Sequence, residues 1–392
     1  MNQVYIVSAV RTPIGSYGGI FATLSAVDLG VAAVRGALKK ANVPVERIEE
    51  VLMGNVVSAN LGQAPARQIA MGAGISNRVP CTTINKVCAS GMKAVMFAAQ
   101  NIMLGHREIM VAGGAESMSQ IPFYVPRARF GYKFGNGTLV DGLVKDGLED
   151  VYDQCAMGTF ADSTAIKYDI SRDAQDAYAI ESYKRSAAST DNGSFRSEIV
   201  PVSIPQRKGD PILISEDEEY KKVKFEKIPA LRPAFTKDGT VTAANASTIN
   251  DGASAIILAS EKAVKELGLE PVARIVSFAD GAHDPSLFTT APTIATPIAL
   301  ERAGLQKNEI DYYEVNEAFA VVPLAFSKIM DIDKEVINVM GGAVSLGHPL
   351  GASGARIIST LSNTLQNKAA RYGLATICNG GGGASSMIIE RL

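Results

Sequence analysis

The chain has 392 residues, of which 47% are hydrophobic and 20% are charged, with 38 Lys and Arg against 40 Asp and Glu. This composition excludes disordered, collagen-like and small disulfide-stabilised proteins, and the length allows two or three packed units of roughly 100–200 residues. The net charge of -2 and the absence of Trp argue against nucleic acid as a partner. No apolar run reaches the roughly 18 residues of a membrane span, so no membrane partner is predicted.

Strands and helices alternate in the first 119 residues, which is typical of an α/β fold. Ser25 is a candidate N-cap for a helix that runs to about Lys40. The segment Met92–Leu104 predicts a helix that is apolar almost all round and is therefore buried on all sides. Apolar runs predict buried strands at Val4–Ala9, Val51–Val57 and Ile109–Ala112.

The composition changes from about Gln120 to Ser247, where Pro, Gly and a charged stretch at Glu216–Lys227 are frequent. We predict an inserted, more exposed lobe there, with at least one helix at Asp173–Ala188. The alternating pattern resumes at Ala253–Ala259. The predicted domains are therefore 1–119 plus 248–270, the insertion 120–247, and 271–392.

An internal repeat indicates two copies of one α/β unit. Ala89-Ser90-Gly91 opens the first apolar helix, and Gly113-Gly114-Ala115-Glu116-Ser117-Met118 follows 24 residues later. In the second half, Ala352-Ser353-Gly354 opens a helix, and Gly382-Gly383-Ala384-Ser385-Ser386-Met387 follows 30 residues later.

The four cysteines form no C-x-x-C pair, which argues against a zinc site or a disulfide framework and favours a reducing, cytoplasmic compartment. Cys88 lies at a strand-to-helix transition, where helix N–H groups stabilise a thiolate; a small buried hydrophobe is the alternative. Cys378 precedes a glycine run whose N–H groups can form an oxyanion hole or merely a flexible turn. Cys81 and Cys155 are predicted to be structural.

Of the three histidines, only His348 lies in a tight glycine loop that feeds a helix. Glycine permits close backbone approach there, and Pro349 fixes the turn beside the imidazole. His106 and His283 are predicted to be structural. Asn316-Glu317 follows the predicted strand Tyr312–Val315 and can orient a water or an acyl oxygen, or serve as an ordinary N-cap.

Neither a P-loop nor a G-x-G-x-x-G dinucleotide motif is present in the glycine-rich segments. Four other motifs, in this order, make the chain resemble the thiolase family over essentially its whole length. Each motif alone is weak, whereas the ordered set is specific. They are Asn85-Lys86-Val87-Cys88-Ala89-Ser90-Gly91, Asn316-Glu317-Ala318-Phe319, Gly347-His348-Pro349-Leu350-Gly351 and Cys378-Asn379-Gly380-Gly381-Gly382-Gly383.

The resemblance implies a five-layered α-β-α-β-α fold of two related halves with an inserted loop domain. The helices that follow Cys88 and Gly351 would be buried, with their N-termini directed toward one shared site. The resemblance also implies a homotetramer, with Pro122–Gly142 as the tetramerisation segment.

Within the family the chain most resembles the biosynthetic enzymes that join two acetyl-CoA molecules into acetoacetyl-CoA and CoA, the first step of mevalonate and sterol synthesis. The resemblance gives each catalytic residue a role in a ping-pong Claisen condensation. Cys88 would become acetylated with His348 as its base, and Cys378 would remove the α-proton of the second acetyl-CoA. His348 and a water on Asn316 would stabilise the enolate, and the N–H groups of Cys88 and Gly380 the tetrahedral intermediate.

The resemblance also assigns residues to the CoA thioester substrates. Ser247 matches a pantetheine contact, and Lys222 and Lys227 match positions near the adenine and phosphate. Lys221 and Lys224 belong to a solvated charged face. Met157, Phe235 and Phe319 would line the acyl channel, although they could equally be core residues. The remaining substrate contacts would come from Ala318 and Tyr183.

No obligatory cofactor is implied, but a potassium site is implied at Tyr183, Ala243, Ala244, Ala246 and Val344. The chain departs from family patterns at Ala156-Met157-Gly158, which puts one pantetheine contact in doubt, and at Phe288-Thr289, which leaves activity on 2-methyl-branched substrates open. A degradative 3-ketoacyl-CoA thiolase is the main alternative. A β-ketoacyl synthase and a non-enzymatic CoA-binding scaffold are weaker ones, and a mitochondrial location would apply if a presequence has been removed.

Overall fold

The computed structural model describes residues 2–392, and its first section carries five strands and three helices. In chain order these are β1 (Val4–Arg11), β2 (Gly15–Ser16), α1 (Ala26–Ala41), β3 (Glu50–Gly54), α2 (Pro65–Gly72), β4 (Cys81–Ile84), α3 (Ser90–Met103) and β5 (Ile109–Ser117). The middle section carries β6 (Phe123–Tyr124), β7 (Val140–Asp141), α4 (Met157–Lys167), α5 (Arg172–Asp191), β8 (Val202–Ile204) and β9 (Ile212–Ile214). The last section carries β10 (Asn250–Ser260), α6 (Glu261–Leu267), β11 (Ala273–Ala282), α7 (Pro292–Ala303), β12 (Tyr312–Val315), α8 (Val321–Met330), α9 (Ala343–Leu346), α10 (Leu350–Asn367), β13 (Tyr372–Asn379) and β14 (Gly383–Arg391).

The predicted α1 is confirmed, including its start. The Ser25 side chain accepts a hydrogen bond from Asp28 N while the Asp28 carboxylate accepts one from Ser25 N, which is a capping box. The helix ends before Asn42, whose left-handed backbone (φ 50°) stops it. The predicted helix in the insertion is confirmed as α5, and the strand Tyr312–Val315 as β12.

Two predicted strands differ from the structure in length. β3 ends at Gly54 instead of Val57, because the N–H groups of Val56 and Val57 leave the sheet and donate to the Glu116 carboxylate. β5 continues past Ala112 to Ser117, because β10 pairs with it over that whole length.

The strands form a ten-stranded sheet in the order β12-β13-β14-β11-β1-β10-β5-β3-β4, with β2 beside β10. Its two halves meet at β1 and β11, which pair over only two residues each. Each half has a parallel strand pair, β3 with β5 and β12 with β13, followed by two antiparallel neighbours. The halves therefore repeat one topology, as predicted.

The predicted alignment of the repeat is wrong in its glycine-rich part. Sheet position makes β13 the equivalent of β5 and β14 the equivalent of β10, so Gly382–Met387 does not correspond to Gly113–Met118. The correct match is between Gly252-Ala253-Ser254 in β10 and Gly383-Ala384-Ser385 in β14. The helix openings at Ala89 and Ala352 do correspond, since they begin α3 and α10.

The helices and the two halves of the sheet form the five layers α-β-α-β-α. α1 and α2 pack on the outer face of the N-terminal half, and α7 and α8 on the outer face of the C-terminal half. α3 and α10 lie between the halves and contact strands of both. Strand β1 has alternate side chains in two separate cores, with Ile6 facing the middle layer and Val10 the outer one, which explains its nearly continuous apolar sequence.

α3 is not buried on all sides, contrary to the prediction. Phe97 is 39% exposed and lies under the ammonium of Lys93 at 4.6 Å from the ring centroid. The side facing α10 and the strands is fully buried.

The insertion leaves the sheet after β5 and returns at β10, which are neighbouring paired strands. Its helices are not an exposed lobe, because α4 packs against α8 and α5 against α9 of the C-terminal half. Its exposed parts include residues 123–139 and 205–213, and large apolar side chains face outward in both segments. Among residues 2–392, no helix has the length and apolar character needed to cross a membrane.

Candidate active site

Cys88 lies in a strained turn that leads into α3. Val87 has a left-handed backbone (φ 47°), which a β-branched residue rarely adopts and which costs about 1–3 kcal/mol. The turn is held by Asn85, whose Oδ1 accepts from Val87 N at 2.9 Å, and by Ser90, whose hydroxyl donates to Val87 O at 2.6 Å. Because these hydrogen bonds hold the strained turn in one conformation, the Cys88 thiol lies at a defined position.

The Cys88 thiol is protonated at neutral pH. Burial raises the pKa of Cys88 to about 12, although the N–H groups of Gly380 and of Cys88 itself act to lower it. The expected stabilisation of the thiolate is therefore outweighed by burial, and the thiol needs a base to become a nucleophile.

His348 lies in the loop between α9 and α10, as predicted, and its imidazole lines the same cavity as Cys88. Gly347 before it has φ 109°, and a Cβ there would lie 2.3 Å from the Asn250 side chain. That side chain accepts a hydrogen bond from His348 N at 2.9 Å. Only glycine at position 347 allows this contact, which fixes the loop.

The hydrogen bonds of His348 leave its outer nitrogen free to accept a proton. The Ser353 hydroxyl donates its hydrogen to Pro349 O at 2.9 Å. His348 Nδ1 lies 2.6 Å from the same hydroxyl oxygen, so Nδ1 carries a hydrogen and donates it to Ser353. Nε2 then has a lone pair and no partner in the described residues. Burial and the charge of Arg356 lower the pKa of His348 to about 3, so the ring is neutral at ordinary pH.

Cys378 and Gly380 lie at the end of β13 and in the turn after it. Cys378 is buried behind the cavity wall, and burial together with neighbouring Cys88 raises the pKa of its thiol. Gly380 is in the wall, where a Cβ would lie 3.6 Å from Val87 and 3.7 Å from Met157. The turn thus brings the Gly380 N–H group to the Cys88 thiol.

Asn316 follows β12 and is fully buried. Its Oδ1 accepts from the Arg356 guanidinium at 3.5 Å, while Nδ2 has no partner in the described residues. It is not an N-cap, because α8 begins at Val321 after Ala320. Glu317 beside it accepts from Tyr178, Ser182, Asn338 and Val344 N, which ties the insertion to the C-terminal half.

Glu116 was not predicted as a site residue. Its buried carboxylate accepts from Val56 N at 2.9 Å, Val57 N at 3.2 Å and Gly351 N at 2.9 Å. It thereby joins the loop after β3 to the N-terminus of α10, beside His348. Burial raises the pKa of Glu116 to about 7, against these hydrogen bonds. The only sequence signal was a charged residue within an otherwise apolar segment.

One mostly apolar cavity of about 680 Å³ opens from this centre to the surface. Among the predicted residues, its wall contains Cys88, His348, Gly380, Met157, Phe235, Ala318, Phe319, Ser247, Lys222, Ala243 and Ala246. A volume of this size, apolar and with few polar groups, suits a small organic ligand.

The predicted substrate contacts are distributed along this cavity. The rings of Phe235 and Phe319 are edge to face with centroids 5.9 Å apart, and Gly158 leaves the space that the Phe235 ring occupies. The Ser247 hydroxyl donates to Ala318 O at 2.9 Å and keeps its lone pairs for a ligand N–H. The Lys222 ammonium, paired with Glu218 at 2.8 Å, is half exposed at the wall.

Other predicted residues lie outside the wall. Lys227 is exposed, and Tyr183 is buried against Phe225 with ring centroids 6.4 Å apart, so their substrate contacts remain predictions. Cys81 and Cys155 are half-buried against core clusters, and His106 is exposed. His283 is half-buried, and its backbone N–H donates to Gly382 O in the turn after β13.

The residues predicted to bind potassium come together around Ala320. Tyr183 and Val344 pack with Ala320, whose N–H donates to Asn245 O within the 243–246 segment. Within residues 2–392, no hydrogen-bond donor reaches the carbonyl oxygens of Ala243, Ala244, Ala246 or Val344. Four free carbonyls are oxygen donors of the kind that hard cations prefer.

Two sequence models of one family match the chain. The model described as "Thiolase, N-terminal domain" matches residues 4–262, and "Thiolase, C-terminal domain" matches residues 269–391. Together they cover nearly all of the sequence.

Similar proteins extend over the whole chain. A Schizosaccharomyces pombe protein named acetyl-CoA acetyltransferase is 55% identical over 100% of this chain and 99% of its own length. A relative from Gibberella zeae named as cytosolic is 52% identical, covering 100% and 99%, and one from Mus musculus named as mitochondrial is 52% identical, covering 100% and 92%. The solved structure of an Ascaris suum thiolase in complex with coenzyme A is 48% identical, covers 100% of both chains and has a TM-score of 0.94.

We predict that Cys88 alkylation by iodoacetamide shows no inflection attributable to His348 between pH 5.5 and 7.5, because an imidazole with a pKa of about 3 is already neutral there. The measurement is the alkylation rate against pH for the wild type and for His348→Asn, with the modified cysteine identified by mass spectrometry. An inflection near pH 6.5 that disappears in His348→Asn would contradict the assignment.

Proposed function

The chain belongs to the thiolase family, and we propose that it is an acetyl-CoA C-acetyltransferase that condenses two acetyl-CoA molecules to acetoacetyl-CoA and CoA, reversibly. The observation that carries this proposal is one apolar cavity whose wall holds the Cys88 thiol, the free nitrogen of His348 and the N–H of Gly380. The relatives named acetyl-CoA acetyltransferase and the Ascaris suum complex with coenzyme A support the substrate class.

In the first half-reaction, Cys88 attacks the thioester carbon of acetyl-CoA. The thiol proton passes to His348 Nε2, the carbon–sulfur bond to CoA breaks, and the CoA sulfur takes that proton from His348. Acetyl-Cys88 remains. The N–H groups of Cys88 and Gly380 would stabilise the charge of the tetrahedral intermediate, and their contact with the Cys88 thiol supports this role.

In the second half-reaction, Cys378 passes its thiol proton to His348 Nε2 and then, as a thiolate, removes an α-proton from a second acetyl-CoA. The enolate charge on the thioester oxygen would accept hydrogen bonds from the proton on His348 Nε2 and from a water held by Asn316 Nδ2. Both nitrogens are without a partner in the described residues. The carbanion attacks the acetyl carbon, and Cys88 leaves as a thiolate and recovers the proton held on His348 Nε2, while Cys378 keeps the α-proton as a neutral thiol. Two thiols are needed because one is acylated while the other handles the proton.

We predict rapid thiolysis of acetoacetyl-CoA by CoA, since the same groups run the reaction in reverse. Cys88→Ser should lower the rate by at least about 1,000-fold, because a serine hydroxyl is a far weaker nucleophile than a thiol. The measurement follows the loss of the acetoacetyl thioester, with Cys155→Ser as a cysteine control that should retain activity.

A long-chain 3-ketoacyl-CoA in the same assay tests the degradative alternative. Preferential cleavage of the long substrate would favour a 3-ketoacyl-CoA thiolase. No thiolysis of either substrate would contradict both assignments and favour a CoA-binding scaffold.

We also propose that potassium activates the enzyme by binding the carbonyls of Ala243, Ala244, Ala246 and Val344 beside Tyr183. The free state of these four carbonyls supports this site. Potassium should raise the thiolysis rate above that in sodium at equal ionic strength, and equal rates in the two buffers would contradict the proposal.

A homotetramer is proposed, with contacts through Pro122–Gly142. The exposed large apolar side chains of this segment support it; they include Phe123, Phe130, Phe134 and Leu139. Sedimentation velocity should give four chains for the wild type and fewer for Phe130→Ser/Phe134→Ser, whereas a monomeric wild type would contradict the proposal.

For the cell, we propose a cytoplasmic enzyme at the first step of mevalonate and sterol synthesis. The relative named as cytosolic supports this location, while the mitochondrial relative marks the alternative. Imaging of the tagged full-length protein in its source cells separates the two, since a mitochondrial signal would contradict the cytoplasmic assignment.

A further inference from the structure

We propose that Arg356 is a positioning residue, whose guanidinium fixes the side-chain amide of Asn316 so that its Nδ2, through the water it holds, is presented to the enolate. This role rests on the proposed function. It concerns a residue outside the cavity wall that acts on the reaction only through Asn316.

The geometry singles out Arg356. It lies on α10, three residues after Ser353, which bonds the His348 ring, and it is only 2% exposed. Its Nη2 donates to Asn316 Oδ1 at 3.5 Å, and its Nη1 is 3.7 Å from Glu314 Oε2. Nε and Nη1 have no hydrogen-bond partner in the described residues.

The contact determines which way the Asn316 amide faces. A guanidinium has only donors, whereas an amide has one acceptor oxygen and one donor nitrogen. With Oδ1 toward Arg356, Nδ2 must point away from it, and Nδ2 is the atom that lacks a protein partner. A flipped amide would set donor against donor and would turn its oxygen toward the developing enolate.

A structural ion pair does not account for this arginine. The other fully buried arginine, Arg11, bonds Glu198 at 2.5 Å and Asp217 at 2.7 and 2.9 Å, which satisfies its charge. Arg356 has no carboxylate within hydrogen-bond distance, because Glu314 Oε2 lies 3.7 Å from its Nη1, and burial raises the pKa of Glu314 to about 8. A buried, poorly paired charge is costly. We therefore look for the role of Arg356 in its contact with Asn316 and not in its contact with Glu314.

Arg356 also acts in the same direction on the neighbouring base. After burial itself, its charge is the second cause that lowers the pKa of His348. The other charged groups around Arg356 are Glu314, Arg11, Glu198 and Glu317. The guanidinium therefore keeps the imidazole neutral while it orients the amide, and both effects favour the proposed chemistry.

The test removes the guanidinium without leaving an unpaired carboxylate. The double variant Glu314→Gln/Arg356→Met is compared with Glu314→Gln alone, which keeps the guanidinium. Each of the two is made once with Asn316 in place and once with the further substitution Asn316→Ala. Replacing both partners of a buried pair is better tolerated than replacing one. Arg356→Lys, in the same two backgrounds, keeps a positive charge and serves if the double variant does not fold.

We expect loss of the guanidinium to lower the kcat of thiolysis by about 10-fold or more, which is usual for groups that orient others at a site, with KM changed less than about threefold. In the Asn316→Ala background the same change should lower kcat by less than about twofold, because no amide remains to be oriented. Cys88 alkylation by iodoacetamide should stay within about twofold throughout, since it needs no enolate.

Equal losses of kcat in the two Asn316 backgrounds would overturn the proposal and would assign Arg356 a purely structural role. Unchanged kcat in Arg356→Lys or the double variant would also overturn it. A wild type without thiolysis activity would instead overturn the proposed function, and this role with it.

Discussion

The close contact between α3 and α10 is the constraint on which the site depends. A Cβ at Gly354 would lie 2.4 Å from a backbone nitrogen of α3, and one at Gly91 would lie 2.8 Å from a backbone nitrogen of α10. Backbone atoms cannot move aside as a flexible side chain can, so the helices meet at this distance only while both residues are glycine. Because Cys88 precedes α3 by two residues and His348 precedes α10 by two, the contact sets where nucleophile and base lie.

Burial then determines the chemistry of the groups brought together. It raises the pKa of the Cys88 thiol and lowers that of His348, so both are neutral before substrate binds. No isolated charge is held at the reacting atoms, and proton transfer between the two creates the nucleophile only when it is used. The unpartnered nitrogen of His348 faces a mostly apolar cavity, where hydrogen bonds to a developing charge are stronger than in water.

Much of the fold and of the site can be predicted from the sequence, because local signals and the ordered motifs indicate them. Ser25, a preferred N-cap residue, predicts the start of its helix, and the motifs around Cys88, His348 and Cys378 indicate the family. The predictions that failed concern features that depend on contacts between residues distant in the chain. The repeat was aligned to β5 instead of β10, because short glycine motifs do not encode sheet position. The partners of Glu116 are distant in the chain, so its charge within an apolar segment did not reveal the clamp it forms.

The central claim is tested most directly by placing a methyl group between the two helices. Gly354→Ala should lower the thermal unfolding temperature by several degrees, since overpacking costs about 1–3 kcal/mol, and should also reduce the rate of acetoacetyl-CoA thiolysis at temperatures where the variant is folded. Gly72→Ala is the matched control, because its Cβ would meet only the side chain of half-buried Val31. Wild-type stability and activity in Gly354→Ala would contradict the account, whereas losses confined to Gly354→Ala would support it.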